Sequence, residues 1–425
     1  MDPVSITDEV REFYQRHPYP PPVEDLDRYR ERWNDTQRRR ADFHLFEPAK
    51  PYCDDRTILI AGCGTSQAAK YAVRWPNANI TGIDISRTSI EQTERLKQEY
   101  RLDNLEVLEL PVERAAELDC SFDHVVCTGV LHHLPNPDEG LQALRDILDP
   151  DGSLHLMVYA PYGRAGIYLL QDYCRRLGIG TSSEEIRDLA TSLRALPPDH
   201  PLVPLLRNSP DFQNEAALAD ALLHPQDRSY SVDQLFEFLD RADLQFGRWI
   251  RQAPYLPQCG GLTQIPHSGL IGRLTLQEQF AAVELFRGNM LRHSAVVYHA
   301  VMPELSQAIK FDGDGWLDYI PIPVSGTIVV EERLPAGAAA VLINRAHTQT
   351  DIYLPIDTNQ KRLFDTIDGE CSICDLVGDR GDLSAARTLF MRLWQYDQVI
   401  FDASKQSRRS GADSSQQNLS TSNDR

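Results

Sequence analysis

Residues 57–86 read T-I-L-I-A-G-C-G-T-S-Q-A-A-K-Y-A-V-R-W-P-N-A-N-I-T-G-I-D-I-S. Thr57 to Ile60 is a short, β-branched run that stops at Gly62-Cys63-Gly64, the pattern of a buried strand feeding a tight turn. Gln67 to Ala72 follow without Gly or Pro, so a helix starts directly after the turn. A second strand, Ile80 to Ile85, carries Asp84 near its end. This is a βαβ unit with a glycine turn at one strand end and a carboxylate at the next. Such a turn lets a ligand approach bare backbone at a helix N-terminus, and the carboxylate accepts both hydroxyls of a ribose.

Outward from this unit, strand and helix patterns keep alternating. Thr88 to Tyr100 reads as a helix with Ser86 or Thr88 as N-cap, Leu105 to Leu110 as a third strand and Phe122 to Cys127 as a fourth. Leu141 to Leu148 is an amphipathic helix stopped by a turn at Asp149-Pro150-Asp151-Gly152, and Ser153 to Tyr159 is the fifth strand. A helix over Val232 to Arg241 and strands over Leu244 to Ile250 and Ala295 to Val301 complete the set. The fold class implied is α/β, a doubly wound, parallel, seven-stranded sheet. Helical insertions at about 165–227 and 255–292 wall in a pocket. Residues 1–50 form an arm, in which Tyr14, His17 and Tyr19 lie close to prolines and serve as a lid that contacts substrate. The domain proper is expected over 51–303. A module at 304–402, with a helix, helix, helix, strand order, resembles a winged helix. The apolar-poor segment 403–425 is expected to be a disordered tail.

The 425 residues carry a formal net charge of −19, which argues against nucleic acid and anionic membrane as partners. Between 304 and 402, eight Lys and Arg face sixteen Asp and Glu, so the module suits a protein contact or self-association. The N-terminus shows neither the cationic nor the apolar region of a signal peptide, and no apolar run is long enough to span a membrane. Eight scattered cysteines read as buried, reduced thiols of a cytoplasmic protein. Cys371-Ser372-Ile373-Cys374 lacks two further ligands at zinc spacing, and no metal is expected.

Three ligand classes use such a glycine turn. A P-loop needs a Lys-Ser/Thr pair after the glycines, which this chain lacks. A dinucleotide site needs a third glycine where Gln67 stands, and its side chain would crowd the helix and hinder a pyrophosphate. The remaining class is S-adenosylmethionine. From about Thr57 to Val301 the chain resembles the class I S-adenosylmethionine-dependent methyltransferases, in particular those similar to the ubiquinone and menaquinone biosynthesis enzymes. Four pieces in order carry the resemblance: A-G-C-G-T at 61–65, G-I-D-I-S at 82–86, F-D-H-V-V-C-T-G-V-L-H-H-L at 122–134, and L-D-P-D-G-S-L-H-L at 148–156.

The resemblance implies that Ala61, Gly62, Cys63 and Gly64 pass the methionine part of the cofactor, that Asp84 binds the ribose and that Ile85 packs on the adenine. It further implies that Val112 and Glu113 meet the adenine edge, and that Thr128 and Gly129 lie under the sulfonium. Methyl transfer is an in-line displacement, so the protein mainly aligns the partners and excludes water. His132, His133 and Tyr162 are candidates for catalysis, and Tyr159 and Arg164 for substrate contact, because all leave strand C-terminal ends, where open α/β sheets bind ligands. The acceptor is expected to be a small molecule. Two other readings are a catalytically weak or inactive cofactor-binding regulatory protein of the same fold and a nicotinamide-dependent oxidoreductase.

Overall fold

The computed structural model describes residues 3–21, 23, 25–208, 214–306, 308–379 and 381–405. From residue 406 onward the expected tail lies outside the described residues. Ala403, assigned to that tail from sequence, is instead buried and donates its N–H to Pro48 O at 2.7 Å. The chain divides into two compact units. One takes the residues up to 32 together with 54–245 and 284–299, and the other takes 33–53, 246–283 and 300 onward.

The sheet comprises β1 (Thr57–Ala61), β2 (Asn79–Asp84), β3 (Leu105–Glu109), β4 (Phe122–Thr128), β5 (Leu148–Tyr159), β6 (Leu244–Trp249) and β7 (Arg292–His299), in the order β3-β2-β1-β4-β5-β7-β6. β1 lies between β2 and β4, both parallel to it, and Ile58, Leu59 and Ile60 are fully buried there. An apolar run without alternation is what a strand covered on both faces requires. The order reverses at β1, which makes the C-terminal ends of β1 and β4 the switch point where open α/β sheets usually bind ligands.

Two expectations change here. The sheet is not wholly parallel, because β7 runs antiparallel to β5. Asp149 to Gly152 do not form a separate turn but lie within β5, whose pairing with β4 slips from Phe122↔Leu148 to His124↔Ser153. The slip takes up the extra residues as a bulge. A Cβ on Gly152 would stand 3.0 Å from Asp123 O, so only glycine fits that approach without displacement.

Helices α1 (Pro3–Arg16) and α2 (Asp27–Trp33) precede the sheet in sequence, and α3 (Thr36–Phe46) belongs largely to the second unit. Between the strands run α4 (Gln67–Arg74), α5 (Arg87–Tyr100) and α6 (Pro137–Asp146). Ser86 is the N-cap of α5, accepting from Ser89 N. The first insertion supplies α7 (Ala165–Leu177), α8 (Ser183–Leu193), α9 (Val203–Asn208) and α10 (Glu215–Leu223) before α11 (Val232–Arg241). Phe13 of α1 is buried in one cluster with Ile167, Leu170, Ile186, Leu189, Leu218 and Leu222. Each such side chain contributes about 1.5–3 kcal/mol on burial. The arm is therefore welded to this insertion by apolar packing.

In the second unit, Ile320–Pro323 pairs with Val399–Asp402, and a three-stranded antiparallel sheet joins Thr327–Val330, Ala340–Asn344 and Leu354–Ile356. Helices span Thr358–Phe364, Ile373–Val377 and Leu383–Gln395. The strands at 320 and 354 are too short and proline-interrupted to stand out in the sequence. Buried Asp397 accepts from Gln252 N, Ala253 N, Arg248 Nη2 and His347 Nε2 at 2.9–3.2 Å and holds this unit's loops together.

Candidate functional site

The glycine turn closes on Asp84. Gly62 and Cys63 both donate their N–H to Ile83 O, at 2.8 and 2.9 Å, which curls the backbone around the end of β2. Asp84 accepts from Gly64 N through Oδ2 and from Ser86 N through Oδ1, each at 2.8 Å. Both oxygens keep a further lone pair for a ligand hydroxyl. Burial raises the Asp84 pKa, and the hydrogen bonds from Ser86 and Gly64 oppose that shift. Gly62 and Gly64 have φ of +70° and +54°, the left-handed region that glycine enters without steric cost. Ala61 is the buried last residue of β1.

The arm crosses this turn. Tyr19 O would stand 3.4 Å from a Cβ on Gly64, and Pro20 O accepts from Thr65 Oγ1 at 2.7 Å. Gln67, expected to crowd the turn, instead donates from Nε2 to Thr128 Oγ1 at 3.0 Å and ties α4 to the end of β4. Gly129 follows with φ +83°, and a Cβ there would meet only Met157 Cε at 3.6 Å. On the adenine side suggested by the resemblance, Ile85 is half-buried and Val112 buried. Glu113 is the second residue of a 3-10 helix, and burial raises its pKa, with Oε2 buried and without a partner among the described residues.

Beyond β4, a second 3-10 turn over Leu131–His133 buries both histidines. The His132 ring is fully buried, with its centroid 4.0 Å from that of Tyr159 and 4.2 Å from that of His133. Neither ring nitrogen of His132 has a hydrogen-bond partner among the described residues. Burial pushes its pKa well below the ordinary histidine range, so the imidazole is neutral. His133 Nδ1 donates to Gln226 O at 2.7 Å. On its other side His133 meets the ring of His224, with centroids 3.9 Å apart.

The remaining sequence-designated residues divide into two groups. Tyr14 joins the cluster, donating its hydroxyl to Asp220 Oδ1 at 3.0 Å and presenting its ring to His133 and His224. Tyr159 joins it as well, under the Arg164 guanidinium, whose Cζ is 3.5 Å from the ring centroid. Arg164 is already engaged, with Asp227 at 3.4 Å and with Tyr168 OH at 3.2 Å, so its charge is used inside the fold. His17 turns to Thr181 O at 3.0 Å. Tyr162 is 42% exposed on the turn before α7, apart from the buried aromatic cluster.

Asp220, His224, Gln226 and Asp227 were not singled out from sequence. The available signal was Asp220, an acid in the middle of the apolar run A-A-L-A-D-A-L-L at 216–223, followed closely by His224. A buried acid there needs partners, and Tyr14 is one.

The sheet order and the glycine turn give the Rossmann-like α/β fold of S-adenosylmethionine-dependent methyltransferase domains. Residues 59–154 match the family described as Methyltransferase domain. An uncharacterized protein of Synechococcus sp., syc1184_c, is 32% identical over 262 residues, covering 57% of this chain and 60% of that protein. The ubiquinone biosynthesis O-methyltransferase of Paracidovorax citrulli is 30% identical over 129 residues, 28% of this chain and 54% of that enzyme. The chain thus spans between half and two thirds of these relatives. PKMT2 from Rickettsia typhi has the same fold, with a TM-score of 0.60 at 16% identity over 90% of this chain and 76% of that one. The same protein in complex with AdoHcy gives a TM-score of 0.59.

Proposed function

We propose that this protein transfers the methyl group of S-adenosylmethionine to a small-molecule acceptor held between the end of β4 and the cap of α1, α7 and α10. The observation that carries the reading is the glycine turn closed on Asp84 together with a buried histidine pair after β4. Asp84 holds the ribose, Gly62 to Gly64 the methionine part, and Thr128 and Gly129 flank the sulfonium. Tyr14, Tyr159, His132 and His133 form the acceptor side. The methyl carbon leaves sulfur as the acceptor atom bonds to it, and dry apolar walls keep water from competing.

The net charge of −19 supports a small-molecule acceptor over nucleic acid. All eight cysteines are free thiols, which suits a reducing compartment such as the cytoplasm. The acidic excess of 304–402 supports a protein contact or self-association there, which sedimentation of the protein with and without that surface neutralised would test.

Calorimetric titration with S-adenosylmethionine and with its demethylated product tests the cofactor. Both should bind, and Asp84→Ala should weaken both. Incubation of cell extract with methyl-labelled cofactor tests the acceptor, with label expected in the small-molecule fraction. Absence of cofactor binding sinks the reading, and label confined to protein overturns the acceptor class.

A further inference from the structure

We propose that His132, His133 and Asp227 bind a divalent transition-metal ion on the acceptor side of the methyl-transfer site. One ring nitrogen of each histidine and one carboxylate oxygen of Asp227 lie within 4.8 Å of one another. A tetrahedral ion with bonds of about 2.0–2.2 Å holds its ligands about 3.4 Å apart, so modest side-chain adjustment gathers the three.

The hydrogen-bond inventory points the same way. Buried polar atoms are nearly always paired. Here both nitrogens of His132, Nε2 of His224 and Oδ1 of Asp227 are buried without a partner, and all belong to residues grouped around His133. The outward sides of two of the proposed ligands, His133 and Asp227, are already committed. His133 Nδ1 donates to Gln226 O at 2.7 Å, and Asp227 Oδ2 accepts from Gln171 Nε2 at 2.8 Å. Metal-ligating histidines and carboxylates are characteristically held in this way from behind. Two carboxylates, Asp220 and Asp227, share the cluster with one permanent cation, Arg164, so a positive ion is electrostatically favoured there.

A second trio, His133, Asp220 and His224, satisfies the same distance. His224 Nδ1 accepts from Gln226 N at 3.1 Å, which places the ring proton on Nε2. His224 is therefore a hydrogen-bond donor toward whatever the ion carries, and the ligand set is the first trio. Two imidazoles and one carboxylate suit zinc, cobalt, nickel or ferrous iron better than magnesium or calcium. Three protein ligands leave a coordination position open, as in metal sites that act on a bound molecule. The spacing of the sequence concealed the set, because Asp227 lies almost a hundred residues beyond the histidines.

The location rests on the proposed methyltransferase reading, but the binding test does not. Chelator-treated full-length protein is titrated with zinc by calorimetry and by competition with a chromogenic chelator, with magnesium as control. One zinc per chain is expected, and magnesium should not compete. Cobalt-loaded protein should show visible d–d absorption. His132→Leu, which removes a side chain without hydrogen bonds, and Asp227→Asn, which keeps the carboxylate's shape, should each weaken zinc binding by more than about 100-fold, beyond the usual loss on removing an outer hydrogen-bond partner. Circular dichroism and S-adenosylmethionine affinity should be retained in at least one of the two variants. Failure of the wild-type protein to bind zinc, or equal binding in both variants, overturns the site. Loss of the site with cofactor binding intact leaves the methyltransferase reading standing.

Discussion

Replacing Gly62 by alanine should destabilise the protein through two separable effects. At φ +70° an L-residue pays the left-handed penalty of about 1–2 kcal/mol. The added Cβ would also fall 2.2 Å from Val130 Cγ2, and 3.2 Å from Cγ1. Overpacking of this kind costs about 1–3 kcal/mol while the neighbour shifts, so the total for Gly62→Ala is about 2–5 kcal/mol. Val130→Ala removes both offending methyls and costs about 1–1.5 kcal/mol alone through lost burial. Combined, the two substitutions should cost about 1–3 kcal/mol less than their sum, because only the φ penalty of Gly62→Ala survives. Chemical denaturation of the four proteins followed by circular dichroism measures the cycle. If Gly62→Ala costs less than about 0.5 kcal/mol, or if the effects add, the turn is not pressed against the segment after β4 and the reasoning fails.

Other substitutions and conditions have equally definite outcomes. Asp84→Asn replaces one of two acceptor oxygens by an amide that faces a backbone N–H, so it should cost about 1–3 kcal/mol in unfolding free energy and weaken binding of the demethylated cofactor, read by melting and calorimetry. Acid should destabilise the protein early. Burial depresses the native pKa values of His124, His132 and His224, so below about pH 6.5 the unfolded chain takes up protons that the native state refuses. Stability present above that pH is then lost by up to about 1.4 kcal/mol per pH unit for each such histidine. Asp84 and Asp220, whose pKa values burial raises, oppose this only nearer the carboxylate range, so urea midpoints between pH 7 and 5 isolate the histidines. Asp397→Ala strands Arg248 and two backbone donors in the second unit and should cost about 3–5 kcal/mol, measured by the unfolding of that unit.

The segment proposed to hold the cofactor was legible because its backbone pattern is local. A glycine turn, the strand before it and an acid at the end of the next strand lie within 30 consecutive residues, and backbone conformation there is dictated by glycine itself. Gln67 could be seen but not interpreted, since its partner Thr128 is brought near only by the β1–β4 pairing. Tyr162 shows the converse case. It leaves a strand end as Tyr159 does, yet the turn before α7 sends it outward, and periodicity does not encode that direction.

What the sequence by itself determined is the sheet, the glycine turn and the acid beneath it, because short-range patterns of apolar, glycine and acidic residues suffice to specify them. The cluster proposed as the acceptor side is assembled only in the tertiary structure. Tyr14, His132, His133, Asp220, His224 and Asp227 come from the arm, the end of β4 and the cap, and no spacing rule links them. They meet because Phe13 and the apolar faces of α7, α8 and α10 bury a common core, and that packing carries their polar groups into one dry cluster.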